Sequence, residues 1–201
     1  MGNGAHLLNV VDVEATCWEG RPPSHAVNEI IEIGLVVVDL ATRQRIARHR
    51  ILVRPERSVV SPFCTKLTGI TQAEADSGVS FAEACGILAA EHAAGERVWA
   101  SWGAYDRSQF QRQCAETGPD YPFGPWHINA KETFATALDL PKQVGMARAL
   151  HIVGLPLEGR HHCGEDDAWN IAALILHLVE RGDWPPVPSG LVSPAAPGQE
   201  S

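Results

Sequence analysis

The stretch Leu7-Leu8-Asn9-Val10-Val11-Asp12-Val13-Glu14 decides the reading of this chain, because an apolar run of strand character ends there in two acids spaced by one residue. Strand side chains alternate with period two, so Asp12 and Glu14 project from one face of the strand that 7–13 is expected to form. Two carboxylates side by side repel unless a positive group lies between them. A divalent cation answers that need, and an oxygen-only donor pair suits magnesium or manganese better than zinc. A strand end opening into water, with both acids solvated, accounts for the pair equally well on its own.

Outward from this run, 29–40 and 45–53 are rich in Val, Ile and Leu and are set off by Pro, Gly or charged breaks, so three consecutive strands are expected. Ser80 followed by Glu83 has capping-box spacing, and Phe81, Ala84, Cys85 and Leu88 recur at helical spacing up to Gly95. A short strand is expected at 97–101, a helix at 104–117 closed by Gly118 and Pro119, and a last helix at about 165–181 with Gly182 after it. Three strands followed by alternating helices and strands make an α/β protein, a mixed sheet packed with helices. With 201 residues and 45% hydrophobic content the chain is expected to form one domain, 1–182, followed by a disordered tail at 183–201 with five prolines and two glycines.

Two further acids stand at places where a fold brings chain segments together. In the last helix Ile171, Leu174, Ile175 and Leu178 follow Asp167 at i+4, i+7, i+8 and i+11, which puts Asp167 on the face to be buried. A buried carboxylate is costly unless paired or metal-bound. Asp166, one helical step round, is expected to be solvated or to answer the helix dipole. Asp106 follows Trp102-Gly103-Ala104-Tyr105 at the start of the 104–117 helix, at the carboxyl edge of the sheet, where it serves either as a ligand or as a dipole partner. His162 precedes Asp167 by five residues, in the loop entering the last helix.

The ordered set resembles the histidine-containing branch of the DEDD-type 3′→5′ exonucleases, with their DnaQ-like, RNase H-like fold. The segments Asp12-Val13-Glu14-Ala15-Thr16-Cys17, Asn28-Glu29-Ile30-Ile31-Glu32-Ile33-Gly34, Leu67-Thr68-Gly69-Ile70, Trp102-Gly103-Ala104-Tyr105-Asp106 and Gly159-Arg160-His161-His162-Cys163-Gly164-Glu165-Asp166-Asp167 carry the likeness. Within that branch they are similar to the subgroup of the histone-mRNA 3′-end and sporulation-inhibitor-like exonucleases.

The resemblance implies that Asp12, Glu14, Asp106 and Asp167 hold two magnesium ions, or manganese, around a scissile phosphate. It implies that His162 acts as general base, a role worth roughly 10²–10⁴ in rate. His161 is assigned to the surface or to a supporting position. Leu67, Thr68, Gly69 and Ile70 would grip the terminal nucleotide, and the backbone of Ala15 and Thr16 would meet the 3′ hydroxyl. Trp18 and Phe63 are candidate stacking surfaces for bases, Trp102 is expected in the core, and Lys66, Lys131 and Arg160 are the basic residues nearest the motifs.

The implied partner is a single-stranded RNA or DNA 3′ end, RNA favoured, with nucleoside 5′-monophosphates as products. A net charge of −8 gives no general attraction for polyanions, so binding has to be local. Short or generic 3′ overhangs are expected, because the chain carries no second nucleic-acid-binding domain. No stretch approaches the roughly 20 apolar residues of a membrane span, and five scattered cysteines without a C-x-x-C pair suit a reducing cytoplasm. Two other readings use the same fold: a regulatory binding module without catalysis, and a proofreading subunit of a DNA polymerase.

Overall fold

The apolar run at the start of the chain forms β1 (Leu7–Ala15), the middle strand of a five-stranded sheet in the computed structural model, which describes residues 6–186. Antiparallel to it runs β2 (Ile30–Asp39), and β3 (Gln44–Leu52) pairs antiparallel with β2 at the edge. On the other side β4 (Val98–Ser101) and β5 (His127–Asn129) continue the sheet in parallel, giving the order β3-β2-β1-β4-β5. The helices are α1 (Pro62–Thr68), α2 (Gln72–Asp76), α3 (Phe81–His92), α4 (Tyr105–Thr117), α5 (Ala130–Ala137), α6 (Met146–Val153) and α7 (Gly164–Arg181). This is the mixed sheet flanked by helices that the sequence implies.

Four strands, α3, α4 and α7 lie where expected, within a few residues. The helix expected to run on to Gly95 stops at His92, because Ala93 takes a left-handed conformation (φ 49°) and ends it. Five elements were not anticipated: α1, α2, β5, α5 and α6 are each eight residues or fewer, too short for periodicity to declare itself. The capping box expected at Ser80–Glu83 forms, and a second one, not anticipated, forms at Thr71–Glu74.

Period two in β1 sorts the core. Leu8 and Val10 join Val36 and Val38 under α5, α6 and α7, whereas Val11 and Val13 join Ile33, Leu35 and Val37 under α3 and α4. Asp12 and Glu14 therefore continue the Leu8–Val10 row on the α7 side. In register with them across β2 stand Gly34, opposite Asp12, and Glu32, opposite Glu14.

α7 buries Ile171, Leu174, Ile175 and Leu178 completely against this face, each worth roughly 1.5–3 kcal/mol of transfer free energy. Its first turn reaches the sheet itself. A methyl group at Gly34 would overlap the Gly164 carbonyl, so β2 and the start of α7 touch backbone to backbone. The packed body runs past the expected boundary at Gly182: Trp184 lies half-buried against the α7 core, and Asp183 donates its N–H to the Leu178 carbonyl at 2.9 Å. The first four residues of the expected tail, 183–186, are thus part of or beside the packed body, and 187–201 fall outside the described residues. No helix among the described residues is long and apolar enough to cross a membrane.

Candidate active site

The carboxyl-terminal half of β1, the N-terminus of α7 and the N-terminus of α4 meet at one end of the sheet. Oxygens of Asp12, Glu14 and Asp167 all lie within 4.8 Å of one another. Asp106, in the first turn of α4, accepts the backbone N–H of Val13 at 3.0 Å, which ties it to β1 between the other two acids of that strand. All four sequence-derived acids are brought together.

Burial and mutual repulsion show in their protonation. Asp12 is held well above the ordinary carboxylate range by burial and by Asp106, Glu14 and Asp167 around it. Burial pushes Glu14 up to about 8, with Asp167 and Glu32 adding to the effect and Arg160 opposing it. Asp106 is pushed up by burial to about 6, eased by the Val13 N–H, and Asp167 is raised by burial against the pull of His161. Buried, crowded and oxygen-only, the cluster has the donor chemistry of a magnesium or manganese site.

Asp167 is aimed by its own loop. Its Oδ2 accepts the backbone N–H of His162 at 3.0 Å and faces Nδ1 of His161, also at 3.0 Å. The two imidazoles stack, with centroids 4.0 Å apart and planes 17° off parallel. His161, expected only at the surface or in support, is the histidine whose ring pairs with Asp167. His162 is half-buried and takes a left-handed backbone (φ 64°), a conformation that costs a residue with a side chain energy and recurs at functional sites. Burial, then the neighbouring His161, hold its pKa below the ordinary histidine value, so at neutral pH the ring is unprotonated.

Glu32, Gly34, Gly164 and Asp166, near the site, escaped the sequence reading as contributors. Glu32 on β2 is fully buried; it accepts the N–H of Glu165 at 3.1 Å, meets the Cys163 thiol at 3.5 Å and pairs with Arg50 at 3.1 Å. Because Cys163 at the N-cap makes no capping bond with its side chain, a carboxylate from the sheet caps α7 instead. Gly34 and Gly164 permit the approach that makes this possible. Asp166, expected to be solvated or to answer the helix dipole, lies in the first turn of α7, accepts the N–H of Arg160 at 2.7 Å and is paired with Arg48 of β3.

The expected nucleotide-gripping residues divide. Thr68 and Ile70 are buried, the Thr68 hydroxyl donating to the Cys64 carbonyl and accepting the Ile70 N–H. Leu67 and Gly69 remain partly open at the end of α1, where Gly69 is its left-handed cap. Ala15 and Thr16 are buried at the end of β1; the Thr16 N–H donates to the Glu29 carbonyl at 2.8 Å, and its hydroxyl is bonded to Val27 and Glu29. Trp18 and Phe63 are half-buried, while Trp102 packs on Phe134 and donates to the Val144 carbonyl, as expected of a core residue.

The family model described as Exonuclease (RNase_T) matches residues 10–175, from β1 into α7. The chain belongs to this exonuclease family. The human 3′-5′ exoribonuclease 1 is 32% identical over 183 residues, which cover 86% of this chain and 52% of that protein. The 3′-5′ exonuclease Snipper of Drosophila melanogaster is 30% identical over 195 residues, covering 86% of this chain and 69% of the relative. Among solved structures, the nuclease domain of 3′hExo, a DEDDh family member bound to rAMP, superposes with a TM-score of 0.81 at 29% identity, covering 88% of this chain and 93% of that one. This exonuclease chain therefore spans about half the length of the human relative and nearly the whole of the solved nuclease domain. The mixed five-stranded sheet is the DnaQ-like, RNase H-like exonuclease fold.

Proposed function

We propose that this exonuclease domain removes nucleoside 5′-monophosphates one at a time from the 3′ end of single-stranded nucleic acid, with RNA preferred to DNA. The crowding of Asp12, Glu14 and Asp167 carries the reading: ionised acids this close and this buried need bound cations to coexist. A binding module without catalysis has no use for so costly an arrangement. The preference for RNA is supported by the exoribonuclease relative and by the rAMP in the solved nuclease domain.

Asp12, Glu14, Asp106 and Asp167 would hold two magnesium ions. Bound there, the metal supplies positive charge against the phosphate and favours ionisation of the attacking water. The rest falls to the chain. The neutral ring of His162 takes the proton of the water whose oxygen bonds to phosphorus; the P–O3′ bond breaks, the released oxygen takes a proton from solvent to become the 3′ hydroxyl of the shortened strand, and His162 returns its proton to solvent. His161 holds Asp167 in orientation through its 3.0 Å contact. Leu67 and Gly69 offer the surface for the terminal sugar and base, Thr68 and Ile70 brace it from the core, and the end of β1 at Ala15 meets the 3′ hydroxyl, braced by Thr16, whose own N–H and hydroxyl are taken by Glu29 and Val27. The five cysteines, all free, are in keeping with a reducing compartment such as the cytoplasm.

The test uses 5′-labelled single-stranded RNA and DNA oligomers of one sequence, each with a 3′ hydroxyl or a 3′ phosphate. Metal-dependent shortening from the 3′ hydroxyl end, faster on RNA and blocked by the 3′ phosphate, is the expected result. Cleavage at internal positions contradicts the exonuclease reading, and equal rates on the two sugars contradict the RNA preference.

A further inference from the structure

The loop that delivers His162 is fixed from two sides, and one residue makes both attachments. Gly159 and His162 take left-handed backbone, φ 74° and 64°, with Arg160 and His161 between them. From its backbone, Arg160 donates its N–H to Asp166 at 2.7 Å, and Asp166 is anchored to Arg48 of the sheet. From its side chain, Arg160 reaches away from the loop to α1, donating to the carbonyls of Leu67 at 3.2 Å and Lys66 at 3.4 Å. These are last-turn carbonyls with no partner inside the helix. The guanidinium lies directly over Gly69, where any Cβ would overlap it.

Arg160 is exposed, and among the described residues its guanidinium meets carbonyl oxygens and forms no salt bridge with a carboxylate. An arginine kept for ion pairing would be satisfied by one of the acids nearby. A guanidinium with one terminal nitrogen shared between two carbonyls and the other over a glycine acts instead as a joint between two segments, since its donors have fixed directions.

We propose that Arg160 is a positioning residue that latches segment 67–70 to the His162 loop, so that the 3′-terminal nucleotide and the imidazole are presented at a fixed separation. The proposal rests on the exonuclease reading above and deepens it. Gly69 is then required twice, for its left-handed backbone (φ 80°) and for the bare surface on which the guanidinium lies.

Steady-state kinetics on an RNA oligomer and equilibrium binding of 5′-AMP with magnesium test it, using wild type, Arg160→Ala, Arg160→Lys, Gly69→Ala and the Arg160→Ala/Gly69→Ala double variant. Arg160→Ala is expected to raise KM and weaken 5′-AMP binding by about tenfold or more, the scale of lost hydrogen bonds from a charged donor. Magnesium affinity and Tm stay close to wild type, kcat falls with the loss of the fixed separation, and Arg160→Lys, a point charge without the planar head, recovers only part of the loss. Gly69→Ala reproduces the defect, and the double variant is no worse than the poorer single one. Unchanged KM and 5′-AMP affinity in Arg160→Ala, or full additivity in the double variant, overturns the latch. A fall in Tm with unchanged KM overturns it too, reducing Arg160 to a brace of the fold. The 5′-AMP measurement needs no turnover, so it reads the latch even where an inactive wild-type protein has sunk the exonuclease reading.

Discussion

Carboxyl groups crowded as Asp12, Glu14 and Asp167 are share a limited supply of protons until a cation replaces them. Glu14 moves from an ordinary value of 4.5 to about 8 in the metal-free protein. The sign follows from linkage: a carboxyl whose folded pKa is raised adds stability below its unfolded pKa, and that stability is lost as pH rises through the folded value. Without metal the protein is expected to lose thermal stability between about pH 4.5 and 8, and magnesium is expected to restore it most at the alkaline end. Calorimetric scans across this range with chelator or magnesium check both; a Tm that rises with pH in chelator contradicts the shift. The neutral ring of His162 makes its own prediction: His162→Ala lowers kcat by roughly 10²–10⁴ with magnesium affinity intact, whereas His161→Ala acts through the orientation of Asp167 and weakens magnesium binding. A larger kcat loss in His161→Ala would reverse the assignment of the base. The pairing of Asp12 with Glu14 and the inward face of Asp167 were legible in the sequence, because both follow from local periodicity. The Glu32 cap and the reach of the Arg160 side chain were not, because each acts on a residue distant in sequence; the His161 contact was not, because the loop conformation decides which of two adjacent imidazoles turns to Asp167.

Among the secondary-structure elements, the proposed centre depends on how α7 meets β2. Gly34 and Gly164 let the backbones touch, and Glu32 caps the same first turn of the helix that carries Asp167. Gly34→Ala is expected to push α7 off the sheet, separating Asp167 from Asp12 and Glu14; both magnesium affinity and stability should fall. Glu32→Ala leaves the Glu165 N–H unmet and the Arg50 charge unpaired, a loss of about 1–3 kcal/mol. Glu32→Gln keeps an acceptor for that N–H and costs less. Chemical denaturation with a parallel magnesium titration separates the two variants, and equal losses in Ala and Gln would show that the cap is immaterial. Long amphipathic α7 and apolar β1 and β2 announced themselves in the sequence. The short pieces did not: α2 spans five residues and β5 three, and their positions are set by what they pack against. A cue was available at Thr71–Glu74, whose capping-box spacing marks the start of α2 as plainly as Ser80–Glu83 marks α3.

Across the whole molecule, the sheet gathers acids from three separated segments, β1, α4 and α7, at one end and leaves the remainder as scaffold. An acidic protein with net charge −8 has no field to draw a polyanion in, so under the proposed function affinity has to come from the terminal nucleotide and from cations in the cluster. This agrees with a site built for strand ends. We propose that Asp12, Glu14, Asp106 and Asp167 form one metal-dependent centre that shortens RNA from its 3′ end. It is tested most directly by following a 5′-labelled RNA oligomer with wild-type protein and with Asp167→Asn, each in magnesium and in chelator. A ladder descending from the 3′ end is predicted for wild type with magnesium alone. The same ladder in chelator, or from Asp167→Asn at the wild-type rate, would contradict it.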